Sequence, residues 1–172
     1  MQSSKEALQY ASILKAHPLF ANLGEADIDK LIAACEPKSF LSGEAIWTIA
    51  QEGQAGFLLI SGRVETTRRL QPDGQRTQHH SEPGTWLALW ALVQGWPHQS
   101  SAFALERTEM LRLPRTAFEQ MFAAGEPAAF GLVDAIAEDL VHDMRDANRR
   151  LHEVFGHPAE TLRTLRRRIR TS

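Results

Sequence analysis

Short runs of β-type residues separated by glycine turns occupy the middle of this chain and restrict its fold more than any other feature. Between about residues 38 and 114, four- and five-residue runs rich in aliphatic, aromatic and β-branched side chains alternate with turns that contain glycine. The runs are residues 45–49, 57–60, 63–67, 101–104 and 110–113. Strands this short and this closely spaced favour an antiparallel roll or barrel over an open parallel sheet. Asp73 and Gly74 predict a hairpin, because both residues tolerate a positive φ.

Apolar residues at helical spacing precede the roll. Residues 5–37 predict two helices, the first with Leu8 and Leu14 on one face and the second with Ile28 and Leu31. Pro37 is expected to close the second helix.

A long helix is predicted to follow the roll over about residues 127–155, and its apolar residues repeat at heptad spacing. They are Phe130, Val133, Ala137, Leu140, Met144, Ala147, Leu151 and Val154. A 3.5-residue period sustained over about four heptads predicts a partner helix. We therefore expect a parallel or slightly crossed homodimer through this seam; the alternative is a core helix that lies on the roll, which is too small to cover the whole seam.

Length, charge and cysteine content exclude several classes of protein. A chain of 172 residues has the usual size of one domain, roughly 100–200 residues. A net charge of −2 gives no general reason to expect a nucleic acid or a membrane as partner. The single cysteine, Cys35, excludes an intrachain disulfide and a cysteine zinc site, and we expect it to be a small buried filler. No apolar stretch approaches the roughly 18 residues of a membrane span, and no signal peptide is evident. We expect a cytoplasmic protein.

Several segments between residues 14 and 155 together carry a resemblance to a known family. They are residues 17–23 (HPLFANL), 40–46 (FLSGEAI), 52–53 (EG), 57–64 (FLLISGRV), 83–84 (PG) and 104–114 (ALERTEMLRLP). In this order and at this spacing they resemble the cyclic nucleotide-binding domain family, which includes catabolite-activator and fumarate-nitrate-regulator transcription factors and the regulatory subunits of cAMP-dependent kinase. The chain departs from the family between Gly53 and Gly62, where it is a few residues shorter, and at Gln54, where Asp is common.

The resemblance implies an α+β fold. Its centre is an antiparallel β-roll, jelly-roll-like and also described as a double-stranded β-helix, with N-terminal helices and a long C-terminal dimerisation helix. Residues 1–155 are then one cyclic nucleotide-binding-like domain, and residues 156–172 form a short Arg-rich C-terminal helix.

The segment that follows Gly84 corresponds to the family's phosphate-binding cassette, and its chemistry differs here. In the family, a pattern close to F-G-E-L-A-L precedes P-R-x-A; the Glu accepts the ribose 2′-hydroxyl and the Arg neutralises the phosphate. Here Ala88 and Leu89 replace the Gly and the Glu, and His98, or Gln99 if one residue is skipped, replaces the Arg. Losing the acceptor costs about 1–3 kcal/mol, and losing the cation costs about 3–5 kcal/mol. At about 1.4 kcal/mol per decade, binding weakens by roughly three decades or more, so we predict that cAMP is not bound in the usual way.

A degenerate ligand pocket is the consequence. Its predicted residues are Trp86, Ala88, Leu89, Trp90, Ala91, Leu92, His98, Gln99 and Ser100. One interpretation is that Trp86 and Trp90 fill the space of the nucleotide. The other is that Trp90 or Trp96 stacks on an atypical ligand, such as cyclic di-GMP, with hydrogen bonds from the neighbouring serines.

Catalytic chemistry finds little support in the sequence. A cupin-like metal enzyme would need histidines two residues apart on one strand face, whereas His79 and His80 are adjacent and point to opposite sides. No nucleophile arrangement is evident. We therefore expect no catalytic residues, no metal and no cofactor.

The last segment, residues 156–172, is rich in arginine. Its start resembles the first helix of the winged helix-turn-helix that follows in the transcription-factor branch, so DNA is an expected partner only if the native chain is longer. Otherwise the segment is a solvated basic face or docks on a protein partner.

The sequence thus predicts a homodimeric, non-catalytic regulatory or sensor module that acts through a protein partner or an atypical nucleotide. The first alternative is the sensor half of a catabolite-activator-type DNA-binding regulator. The second is the cupin-like metal enzyme.

Overall fold

The computed structural model describes residues 4–70 and 74–156. Along these residues the chain divides after Ala135 into two compact units. The predicted Arg-rich helix and Asp73 lie outside the described residues. The assignment of residues 1–155 to one domain and 156–172 to a separate helix stays a prediction.

Two helices begin the first unit, as the sequence predicts. Helix α1 spans Ser4–Ala16, a 3₁₀ turn spans Pro18–Phe20, and helix α2 spans Glu25–Ala34. Acidic residues in the first turn of α2 complement the partial positive charge of the helix N-terminus. The expectation that Pro37 closes this helix is wrong, because α2 ends at Ala34 and strand β1 already begins at Glu36. Proline is tolerated there because β1 is an edge strand.

Two four-stranded antiparallel sheets form the roll, and each predicted run lies in or overlaps a strand. The first sheet has the order β1-β8-β3-β6 and the second has the order β2-β7-β4-β5. The strands are β1 Glu36–Phe40, β2 Ala45–Trp47, β3 Ala55–Ser61, β4 Val64–Leu70, β5 Gly74–His80, β6 Trp86–Leu87, β7 Ser100–Ala104 and β8 Thr108–Pro114. The predicted antiparallel β-roll is confirmed.

Strands β1, β5 and β6 lie outside the predicted runs, and β5 is the longest of them. Its residues, GQRTQHH, are polar and mostly exposed, so they show no alternation of buried and exposed side chains. The strand forms by pairing with β4 along its whole length, from Val64 opposite His80 to Leu70 opposite Gly74. The predicted hairpin is therefore present, but Gly74 is the first residue of β5.

Facing side chains of the two sheets fill the interior of the roll. The buried cluster comprises Trp47, Ala55, Phe57, Leu59, Val64, Leu87, Ala102 and Met110. Burial of apolar surface contributes about 25 cal/mol per Å² and holds the sheets together.

Two helices follow the roll. Helix α4 spans Arg115–Ala123, and helix α5 spans Pro127–Gly156, as predicted. Gly125 separates them with a φ of 72°. The start of α5 packs closely on the 3₁₀ turn, because a Cβ added at Gly131 would lie 3.1 Å from the Phe20 ring. In the ranges 4–70 and 74–156, no helix has the length and apolar character needed to cross a bilayer.

Candidate functional site

The cassette segment links the two sheets through a sharp backbone reversal at Ala88. Strand β6 ends at Leu87, Ala88 has a φ of 56°, and the one-turn helix α3 spans Trp90–Val93. The family pattern has glycine at this position, and a left-handed conformation costs a residue with a Cβ roughly 1–2 kcal/mol. Ala88 thus adopts a backbone conformation that favours glycine, the residue that the resemblance implies at this position.

Helix α3 rests on strand β3 and the turn before it through two glycines. A Cβ added at Gly53 would lie 2.9 Å from the Ala91 Cβ, and one added at Gly56 would lie 3.3 Å from the Leu92 side chain. Leu89, which is predicted to stand at the position of the family's Glu, is 4 % exposed. The residue predicted to replace the family's carboxylate is thus a buried apolar side chain.

Two amides at the start of α3 are already engaged. The Ala91 N–H donates to the Ala88 carbonyl at 3.0 Å, and the Leu92 N–H donates to the Leu89 carbonyl at 3.0 Å. These short-range bonds tighten the turn, and neither amide is free to hold a phosphate oxygen.

The loop after α3 is tied to the turn between β2 and β3. The His98 N–H donates to the Gln51 carbonyl at 2.8 Å, and the Ala50 N–H donates to the His98 carbonyl at 3.0 Å. Gly53 donates its N–H to the Trp96 carbonyl at 3.1 Å. This backbone pairing fixes where the His98 ring lies.

The His98 ring stacks on the buried Trp47 ring inside the roll. Its ring centroid lies 5.3 Å from that of Trp47 at an interplanar angle of 26°, and Trp47 stacks in turn on Phe57 at 5.4 Å. Burial lowers the pKa of His98 below its usual 6.5, so the ring is neutral at pH 7. The residue predicted to replace the family's guanidinium is thus an uncharged ring that contacts a buried indole.

The Trp47 indole carries an unpaired donor. Its Nε1 is buried and has no hydrogen-bond acceptor among the residues that the structure describes, and the same holds for Trp86. Buried donors without partners are rare in folded proteins. The interior of the roll therefore retains one polar group that its own side chains do not satisfy.

The other predicted pocket residues divide between interior and surface. Ala91 and Leu92 are buried, whereas Trp90 is 40 % exposed and Trp96 is 72 % exposed. Trp86 packs edge-on against Phe20 at a centroid distance of 6.3 Å. Neither Trp86 nor Trp90 is among the rings stacked on His98. That these two tryptophans fill the space of a nucleotide stays a prediction.

The polar pocket residues lie at the end of the cassette. Gln99 is exposed, and Ser100 is half-buried as the first residue of β7. Ser101 is occupied, because its Oγ accepts a hydrogen bond from the Ile49 N–H at 2.8 Å.

Trp47 is the site residue that the sequence analysis missed. It lies in the predicted run 45–49, so the pattern placed it on a strand. Its contact with His98 depends on the pairing of β2 with β7, which sets Trp47 opposite Ala102. A sequence pattern of period two predicts that a residue points inward, but not which distant side chain it meets.

The other residues considered for catalysis or metal binding, which are His79, His80 and Cys35, have structural roles. His79 Nε2 lies 3.0 Å from Glu65 Oε2, and His80 Nε2 lies 3.0 Å from Thr66 Oγ1, so the two rings point to opposite faces as predicted. Burial raises the pKa of the Cys35 thiol to about 12, which agrees with a buried filler. In the described part of the chain, no group of three or more His, Cys, Asp or Glu residues is placed to hold a metal ion.

Two facing antiparallel sheets, a one-turn helix after a left-handed residue and a long following helix define the class of β-roll sensor domains. The sequence model of the cyclic nucleotide-binding domain matches residues 37–124, about half of the chain. The chain belongs to the cyclic nucleotide-binding domain family, and the predicted membership is confirmed.

Two curated relatives illustrate this membership. The cyclic AMP receptor protein of Thermus thermophilus is 29 % identical over 102 residues, covering 59 % of this chain and 47 % of the relative. The cAMP-dependent protein kinase regulatory subunit of Dictyostelium discoideum is 22 % identical over 123 residues, covering 70 % of this chain and 38 % of the relative. The matched regions thus span less than half the length of these relatives.

Solved structures agree on the fold. The catabolite activator protein of Thermus thermophilus superposes with a TM-score of 0.69 at 26 % identity, covering 80 % of this chain and 63 % of that chain. The sensor domain of the transcriptional regulator DNR from Pseudomonas aeruginosa superposes with a TM-score of 0.65 at 18 % identity, covering 82 % and 95 %. At that identity the second likeness concerns the fold alone.

Proposed function

We propose that this chain is a non-catalytic sensor module whose cassette does not bind cAMP in the usual way. Regulatory binding is the function of the family, and the cassette is where this member differs. We take Leu89 to stand at the position of the ribose-binding acid, and His98, or Gln99 if one residue is skipped, at that of the phosphate-binding arginine. None of these residues carries a charge at pH 7.

The observation that carries the proposal is the stack of His98 on Trp47. A phosphate held at this position would need a cation, since an unpaired charge in a buried site costs several kcal/mol (about 3–5). The His98 ring is instead neutral and packed on an apolar surface. The regulatory action of the module then depends on a protein partner or on a ligand of another chemistry.

We also propose that the module is a homodimer through helix α5. Leu140 and Met144 are 43 % and 56 % exposed although both are large and apolar. Phe130 and Leu151 on the same seam are exposed as well. Exposed apolar residues at heptad spacing are the pattern that a second helix covers in a coiled coil.

The second candidate function is the sensor half of a DNA-binding transcription regulator. It is favoured by the likeness to a cyclic AMP receptor protein and to the sensor domain of a transcriptional regulator. A native gene product with a helix-turn-helix after residue 172 would favour this candidate.

Calorimetry against cAMP, cGMP and cyclic di-GMP tests the first proposal. We expect no binding of cAMP at micromolar concentrations. The double variant Leu89→Glu with His98→Arg restores both missing groups and should bind cAMP at least tenfold more tightly, because one decade needs only about 1.4 kcal/mol. Micromolar binding of cAMP by the unmodified protein would contradict the proposal.

A further inference from the structure

Helix α4 carries an exposed phenylalanine that is not part of the heptad seam. Phe122 is 46 % exposed although its side chain is large and apolar. Its ring centroid lies 6.1 Å from that of Phe118, one turn earlier on the same helix, and Phe118 is 5 % exposed. Residues four apart share one face of a helix. Phe118 therefore anchors this face in the core, and Phe122 continues it to the surface.

The Phe122 ring also contacts the first residue of the seam. The ring centroids of Phe122 and Phe130 lie 5.3 Å apart at an interplanar angle of 58°, within the range of about 4.5–7 Å that favourable aromatic pairs adopt. The two rings belong to different helices, which the turn at Gly125 joins. Phe130 is itself 48 % exposed. Two half-exposed rings thus lie side by side, and we call Phe122 and Phe130 the aromatic pair.

The place of Phe130 in the seam indicates what covers the aromatic pair. Equivalent positions of the seam recur every seven residues, at Phe130, Ala137, Met144 and Leu151. In a parallel two-stranded coiled coil, equivalent seam residues of the two helices lie side by side, which sets Phe130 beside the partner's Phe130. Because the Phe122 ring is in contact with Phe130, it then lies within reach of the partner's Phe130 as well.

We propose that the aromatic pair is part of the contact with a second copy of this chain, so that α4 contributes to the dimer together with α5. Phe122, Phe130 and their two counterparts then form one cluster of four rings at the start of the seam. The inference rests on the proposed homodimer and extends it to a helix outside the heptad pattern. It requires parallel helices, because in an antiparallel dimer the start of one seam would meet the end of the other.

The area of the four rings is considerable on the scale of an interface. A phenylalanine buries about 150–250 Å² when it is fully covered, and each ring of the aromatic pair is about half exposed. Four such rings remove roughly 300–500 Å² from water, whereas a standard interface buries roughly 1,200–2,000 Å² in total. The cluster therefore supplies a substantial part of the apolar surface that a stable dimer needs.

Sedimentation equilibrium of Phe122→Glu tests the aromatic pair. We expect the dissociation constant of the dimer to rise at least tenfold, because the variant places a charge among the four rings. Gln120→Glu is the matched control: it introduces the same residue at an exposed position of α4, about 200° away on the helix, and should change the constant less than twofold. Phe122→Leu keeps an apolar side chain and should weaken the dimer less than Phe122→Glu does. Circular dichroism should show that all three variants are folded.

Cross-linking provides a second measurement on the protein with Phe122 intact. Phe130→Cys should form a covalent dimer under mild oxidation, because the two added thiols lie side by side in a parallel seam. Cys35 is buried and its thiol pKa is raised to about 12, so the added thiol is the reactive one.

Three results would overturn the aromatic pair: an unchanged dissociation constant in Phe122→Glu, an equal loss in Gln120→Glu, or no covalent dimer of Phe130→Cys. Its failure is distinguishable from failure of the proposed α5 interface. A dimer that is lost in Leu140→Glu but unchanged in Phe122→Glu contradicts the aromatic pair alone. A dimer that is lost in Phe122→Glu but retained in Leu140→Glu contradicts the α5 seam alone, and a monomeric parent protein contradicts both.

Discussion

Gly62 and Gly43 both have a positive φ, of 96° and 86°, but their surroundings differ. A Cβ at Gly62 would lie 2.6 Å from the Arg107 carbonyl oxygen and 2.7 Å from the Thr108 Cα. At Gly43 nothing lies within 4 Å. A comparison of substitutions at these two glycines therefore separates the free-energy cost of backbone strain from that of a steric clash.

Replacing each glycine by alanine gives the first prediction. Gly43→Ala should lower the free energy of unfolding by about 1 kcal/mol, because only left-handed strain is added. Gly62→Ala should lower it by about 3 kcal/mol, because overpacking against backbone atoms adds roughly 1–3 kcal/mol. Urea denaturation measures both values. Equal losses would show that the loop at Arg107 yields without cost.

The His98 ring gives a prediction about pH. Its folded pKa is lowered below 6.5 by burial, so the unfolded chain binds more protons in the window between the two pKa values. The free energy of unfolding should therefore rise with pH through that window, up to about pH 6.5, and then become level. NMR titration of the His98 ring should give a midpoint below 6.5.

His98→Gln is the variant that isolates this contribution. It should reduce the pH slope without abolishing it, because burial also lowers the pKa of His80. An unchanged slope, or a His98 midpoint above 6.5, would contradict the buried stack on Trp47.

At the scale of elements, helix α5 combines a continuous apolar seam with a polar opposite face. The seam residues Leu140 and Met144 are exposed, whereas His142 and Arg149 lie on the other side and pair with Asp146. Such a helix is stabilised by packing more than by its intrinsic propensity.

Leu140→Glu is predicted to convert a dimer into a monomer, because it places a charge in the apolar seam. His142→Glu is the control: it introduces the same residue two positions later, about 200° around the helix, and should leave the dimer intact. Light scattering coupled to size exclusion measures the mass. A dimer that survives Leu140→Glu, or a monomeric parent protein, would contradict the proposed interface.

At the scale of the whole molecule, association and folding are linked. If the proposed dimer forms only between folded chains, mass action stabilises the folded state as concentration rises. The melting temperature should therefore increase with protein concentration for the parent protein and become independent of it in Leu140→Glu. A parent melting temperature that does not vary over a hundredfold range of concentration would contradict a dissociable dimer.

Local signals in the sequence determined the family, the roll and the long helix. Turn glycines and strand-like runs are properties of a few neighbouring residues, and the heptad seam is a periodicity within one segment, so none of them requires knowledge of the fold. The predicted substitutions at Ala88, Leu89 and His98 likewise rest on a short pattern of neighbouring residues. Strands β1, β5 and β6 could not be predicted from such runs, and the polar residues of β5 show no period of their own.

Only the tertiary structure decided which distant residues meet. The stack of His98 on Trp47 depends on the register of β2 and β7 and on the loop that carries the histidine. A strand's sequence specifies which side chains share a face, but hydrogen bonding between strands specifies their neighbours, and a shift of one residue would exchange the two faces.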